Sequence, residues 1–196
     1  MEVSLKNRKP DIRHLNDMKN VLHDQEWAKT APNIELYYMY RNVKERDGLR
    51  YDITVIPAKM LGKEFVKTKG HCHKKNHGEL YIVLEGEAIF LMQKEKHKKI
   101  EDVYYVKAKK GDHVIIPPQY GHITINPSSK ELKMANWVSK DCKSDYVKME
   151  RKKGACYFYT KSGWIKNKNY ENIPKLHTKK PQKTFPKDLS FLSIHL

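Results

Sequence analysis

Apolar and polar residues alternate with a period close to two over most of this chain, and that period predicts strands. Residues 34–40 read as one strand, and Arg46-Asp47-Gly48 turns the chain back into 51–56, a hairpin signal. Further strands are expected at 80–84, 88–93, 103–106, 114–116, 122–125, 133–138 and 155–160. Lys161-Ser162-Gly163-Trp164 reads as a last hairpin turn. Residues 11–30 depart from this period. Ile12, Leu15, Met18 and Leu22 recur there at three- and four-residue spacing, which predicts a helix that starts near Asp11 and stops at Ala31-Pro32-Asn33. From about Glu171 the chain is lysine-rich, with Pro174, Pro181 and Pro186, and ends on an apolar run from Leu189 to Ile194. A mobile middle is expected there, with the apolar end docked on this chain or on a partner. Many short strands with few helices predict an antiparallel sandwich or barrel. The expected division is a helical extension over 1–30, a barrel over 31–170 and a basic tail over 171–196.

Composition narrows the function classes. The 39 basic and 23 acidic residues give a net charge of +16. The excess is mostly lysine spread along the chain, and no nucleic-acid-binding motif accompanies it, so a surface that draws in anionic small molecules is expected rather than a nucleic-acid protein. No apolar run approaches the roughly 20 residues of a membrane helix. Met1-Glu2-Val3-Ser4-Leu5-Lys6 carries no apolar leader, so a cytoplasmic protein without a membrane partner is expected. The cysteines are Cys72, Cys142 and Cys156, odd in number and without a CxxC pair. That pattern argues against a disulfide framework and against a thiolate zinc site.

Candidate chemistry centres on His71-Cys72-His73, with Glu79 six residues beyond. On a strand, residues i and i+2 share a face, so both imidazoles can reach one point. Glu79 adds a hard oxygen just ahead of an apolar strand. A fourth ligand must come from another strand, and His122, after Ile116-Pro117-Pro118, is the candidate. Three imidazoles and a carboxylate suit Fe, Mn, Ni, Co or Zn. Gly86 and Gly111 fall where strands must turn. Glu85 and Glu87, either side of Gly86, are expected to face solvent.

These two pieces resemble the two motifs of the cupin superfamily and, more narrowly, the cupin-type glucose-6-phosphate isomerases of archaea and some bacteria. The resemblance rests on Gly62-Lys63-Glu64-Phe65, Thr68-Lys69-Gly70-His71-Cys72-His73, Glu79-Leu80-Tyr81, Leu91-Met92-Gln93, Ile116-Pro117-Pro118, His122 to Asn126, and Asp145-Tyr146. It spans roughly residues 30–165. It implies an all-β fold, a cupin antiparallel jelly-roll barrel, with the N-terminal helix and irregular C-terminal tail added. It implies one divalent ion per subunit on His71, His73, Glu79 and His122, with Fe2+ expected and Mn2+, Ni2+ or Zn2+ as alternatives. Sugar-phosphate contacts fall on Thr54, Thr68, Gly70 and Tyr146, and the catalytic groups on Glu79 and Tyr81. The implied reaction interconverts glucose 6-phosphate and fructose 6-phosphate in a homodimer. The alternative is a non-catalytic metal cupin that senses a sugar or sugar phosphate.

The chain departs from the family pattern at four places. His73 and Glu79 are separated by five residues, one fewer than the family spacing. Trp137 falls where the family has a tyrosine near the metal. Gln119 stands where many cupins have glycine, and Ser144 where a histidine usually precedes Asp-Tyr.

Overall fold

The structure is a computed structural model and describes residues 4–192. In chain order its elements are β1 (Asp11–His14), α1 (Gln25–Thr30), β2 (Glu35–Arg46), β3 (Leu49–Ile56), β4 (Met60–Leu61), β5 (Glu64–Phe65), β6 (Cys72–His73), β7 (Glu79–Glu85) and β8 (Glu87–Lys96). They continue with β9 (Lys99–Lys109), β10 (His113–Ile116), β11 (Tyr120–Ile125), β12 (Leu132–Ser139), β13 (Ser144–Asp145), α2 (Val147–Arg151), β14 (Tyr157–Thr160), β15 (Gly163–Lys166) and β16 (His177–Lys179). The period-two stretches of the sequence fall on strands, most of them longer than expected at one or both ends, while that expected over 155–160 begins at Tyr157.

Six strands form one sheet in the order β1-β2-β3-β12-β7-β10, and β11-β8-β9-β16 form the second. The two sheets pack in jelly-roll fashion around a shared core that includes Leu36, Val83, Phe90, Met92 and Ile116. Within the second sheet, β8 is covered on both faces. Phe90 and Met92 face the shared core, while Ile89 and Leu91 pack outward against Tyr157 and Tyr170. That double burial explains the unbroken apolar run 88–92, since a strand buried on both sides has no polar face to alternate with.

The helix expected over 11–30 is confined to Gln25–Thr30. Residues 11–14 are instead a strand on the free edge of β2, with Asp11 opposite Met39 and Arg13 opposite Tyr37. Leu15–Asp17 and Lys19–Val21 are single 3-10 turns. Leu15, Met18, Val21 and Leu22 are buried, and a three-residue spacing serves a 3-10 turn as well as an α-helix. The cap of α1 is Asp24, whose carboxylate accepts the Trp27 N–H at 3.1 Å.

The tail is mostly irregular but is attached along its course. β16 pairs with β9 in parallel, the one parallel pair among the described strands, and His113 and Gln182 bridge. The Phe191 carbonyl accepts the Gly78 N–H at 2.7 Å. Leu192 is fully buried against Leu49 and Leu80. Residues 1–3 and the last part of the apolar end, Ser193-Ile194, lie outside the described residues. Leu192→Ala is expected to cost about 2–5 kcal/mol, the range for truncating a buried leucine, read as a Tm lowered by several degrees. An unchanged Tm would mean the tail end contributes no core.

Candidate metal centre

Three separate pieces of backbone deliver the four predicted ligands. His71 lies just before β6, and His73 on it. Glu79 opens β7, and His122 sits on β11. His71 and His122 exchange backbone hydrogen bonds, N–H to O, at 3.2 and 2.9 Å, which ties β6 to β11 across the cavity. Gly70, at φ 83°, makes this approach feasible. A side chain there would meet Ile123 and lie 2.6 Å from Met149 Sδ. Gln119 takes φ 71° in the turn before β11, a conformation glycine adopts at less cost.

Ligand atoms of His71, His73, Glu79 and His122 all lie within 4.8 Å of one another. Glu79 Oε2 is 3.4 Å from His73 Nε2 and 3.1 Å from His122 Nε2. It is buried without a hydrogen bond of good geometry, its near neighbours being these two imidazoles. An orphaned buried carboxylate oxygen is costly, and a cation between the rings removes that cost. The set of three nitrogens and one oxygen therefore fits a divalent ion. His73 Nδ1 faces the His77 carbonyl at 2.8 Å, which fixes the ring with Nε2 inward. The shorter His73–Glu79 loop still delivers the carboxylate, with Gly78 held by Phe191.

The charge states differ from one member of the cluster to the next. Burial, and then the neighbouring His122, hold the His71 pKa well below its usual value. Burial would raise that of Glu79, but the facing His122 and His73 outweigh it and keep the carboxyl ionised. Burial pulls His73 down, yet Cys142 and then Glu79 push it up, to about 10. Loading a cation must therefore displace a proton from His73. Burial, then the Glu79 charge, raises the Tyr81 pKa well above its usual value, so this phenol stays a donor; its oxygen is 3.4 Å from His122 Nε2.

The cavity beside the four residues is lined by Thr54, Thr68, Gly70, Tyr81 and Tyr146, so every predicted contact residue faces it. Thr68 Oγ1 accepts the Thr124 N–H at 2.9 Å, leaving its own hydrogen free to donate. Trp137 is not where the resemblance put it. On β12 the residues facing the cavity are Met134, Asn136 and Val138, and Trp137 points out to pack on Tyr51, ring centroids 4.8 Å apart. Ser144 does line the cavity. Sequence reasoning missed Tyr37, Arg41, Arg50 and Asn136, all on its wall. Arg50 and Thr54 share a strand face by even spacing, so the alternation that placed Thr54 carried a signal for Arg50 too.

An antiparallel jelly roll with a three-histidine, one-glutamate cluster that could hold a metal ion is a cupin by fold. The family described as glucose-6-phosphate isomerase (GPI) matches residues 12–175, and the chain belongs to it. A glucose-6-phosphate isomerase of Thermococcus litoralis is 31% identical over 149 residues, covering 72% of this chain and 76% of the relative. One from Pyrococcus furiosus is 33% identical over 125 residues, covering 60% and 64%. Among solved structures, an oxalate oxidase in complex with the substrate analogue glycolate superposes with a TM-score of 0.43 at 17% identity, over 51% of this chain and 46% of that one.

Proposed function

We propose that this chain interconverts glucose 6-phosphate and fructose 6-phosphate at the four-residue centre, with Glu79 and Tyr81 as its catalytic groups. The observation that carries the reading is the orphaned Glu79 oxygen among three imidazoles, in a member of this family. His71, His73, Glu79 and His122 would hold a divalent cation, which would supply Lewis-acid polarisation to the sugar's oxygens. Thr54, Thr68, the Gly70 backbone and Tyr146 hold the substrate. Hydroxyls and a bare backbone N–H can approach phosphate oxygens without bulk, and the remote phosphate fixes the orientation of C1 and C2. Tyr81, kept protonated, donates to a sugar oxygen as negative charge builds on it. Glu79, kept ionised, carries the hydrogen of C2 or C1 as a proton between the two carbons.

We assign Fe2+ as the ion, with Mn2+, Ni2+ or Zn2+ as substitutes the same donor set accepts. We take the working form as a homodimer in the cytoplasm, acting in sugar-phosphate metabolism. No helix among the described residues is long and apolar enough to cross a membrane. The charge of +16 favours capture of anionic sugars over a nucleic-acid role. The test is turnover of fructose 6-phosphate in deuterated water. The expected product is glucose 6-phosphate carrying solvent deuterium at C2. Product without deuterium would leave Glu79 a ligand only, and no product at all would remove the reading.

A further inference from the structure

The wall of the cavity away from Thr68 and Gly70 carries a polar row that the isomerase reading does not use. Asp52 is fully buried. It accepts from Arg41 Nη1 at 3.0 Å, Arg50 Nε at 3.1 Å and the Asn42 N–H at 2.8 Å. Arg41 is also 3.9 Å from Asp11, whereas the terminal nitrogens of Arg50 make no hydrogen bond to another described residue. Arg41 is aimed here by a break in β2. The pairing with β3 slips between Tyr40 and Lys44, and Asn42 adopts φ 51°. Across the sheet, Asp52 stands opposite Asn136, and Asn136 opposite Tyr81. Asn136 is 3% exposed, faces the cavity, and its amide has no partner among the described residues. Asp52 is satisfied by its three donors, while the Asn136 amide and the terminal nitrogens of Arg50 are left to a ligand in the cavity.

Arg41 and Arg50 line the metal cavity and also an adjoining outer hollow of about 430 Å³, where Lys140 is paired with Glu45 at 2.7 Å and Ser144 lies on the wall. Thr54 and Arg50 stand four residues apart on β3, on the order of 13 Å along the strand. That separation matches an extended hexose with an anionic group at each end, one at the threonines and one at the arginines. We propose that Arg41 and Arg50, braced on Asp52, form a second anion seat, so that the cavity binds doubly phosphorylated sugars more tightly than the monophosphate substrate. Paired N–H donors in a fixed fork suit a phosphate oxygen pair.

The inference rests on the sugar-phosphate reading above. Its test is calorimetric titration of the metal-loaded chain with fructose 1,6-bisphosphate and with fructose 6-phosphate. The bisphosphate is expected to bind at least ~10-fold more tightly, the contribution of a charge-assisted hydrogen bond. Arg50→Gln, and independently Arg41→Gln, should bring that ratio close to one. Equal affinities in the unsubstituted chain, or a ratio that survives both substitutions, would overturn the second seat. Fructose 6-phosphate turnover by the same sample separates the two readings: turnover with equal affinities removes the seat alone.

Discussion

Replacing His71 with alanine is expected to lower kcat/KM for fructose 6-phosphate by roughly 10³-fold or more, with the ion lost from the purified protein. The estimate follows from the several kcal/mol of charge stabilisation a Lewis acid supplies, at a factor of ten per 1.36 kcal/mol. His71 is fit to be a ligand because burial and His122 keep it neutral. Its backbone bridge to His122 does not depend on the side chain, so the alanine variant should keep the fold. Kinetics, metal analysis and thermal unfolding of one preparation check the expectation. An alanine variant that keeps its ion and its turnover would take His71 out of the centre.

The second large effect concerns stability. Glu64 and Lys67 form an ion pair at 2.6 Å with side chains only 1% and 3% exposed. Glu64 Oε1 also accepts the His23 N–H at 2.6 Å, and Lys67 Nζ donates to the Val21 carbonyl at 3.0 Å. The pair thus fastens the irregular stretch before α1 to the barrel. Lys67→Met removes one charge and leaves the other buried, which is expected to cost about 3–5 kcal/mol. Replacing both residues with apolar ones of similar size should cost less than the single change, because no stranded charge remains. Denaturant unfolding of the single and double variants reads the difference directly. A single variant within 1 kcal/mol of the parent would mean that water reaches Glu64.

Which parts of this molecule could be read in the sequence follows from where its polarity contrast lies. The strands were legible because one face of most of them meets water, as in β9, where buried and exposed residues alternate over much of its length. The cluster was legible because His71 and His73 have strand spacing and Glu79 and His122 abut turns. Residues 11–22 were misread because Leu15, Met18 and Leu22 fit two helical periods, and only the free edge of β2 decides for a strand at 11–14. The phase of β12 was hidden for a different reason. Both of its faces are covered, with Ala135 packed beside Val43 and Ile53 outside and Met134 inside, and polar residues occur on both, Lys133 and Ser139 outside and Asn136 inside, so polarity does not tell the two faces apart. A one-residue slip on such a strand exchanges Trp137 for Val138 at the cavity. Arg41 depends on the irregular pairing around Asn42, which strict alternation cannot foresee. The parallel pairing of β16 is a tertiary contact with no local signature in a lysine-rich segment.

Isomerisation by this chain requires an ion at His71, His73, Glu79 and His122. Metal content and fructose 6-phosphate turnover, followed in one sample through stepwise chelation and reloading with Fe2+ or Mn2+, test it most directly. Turnover should fall in proportion to bound metal, approach zero in the stripped protein, and return as a single ion per chain is restored. Full turnover by protein stripped of metal, or a chain that takes up no ion at all, would contradict it.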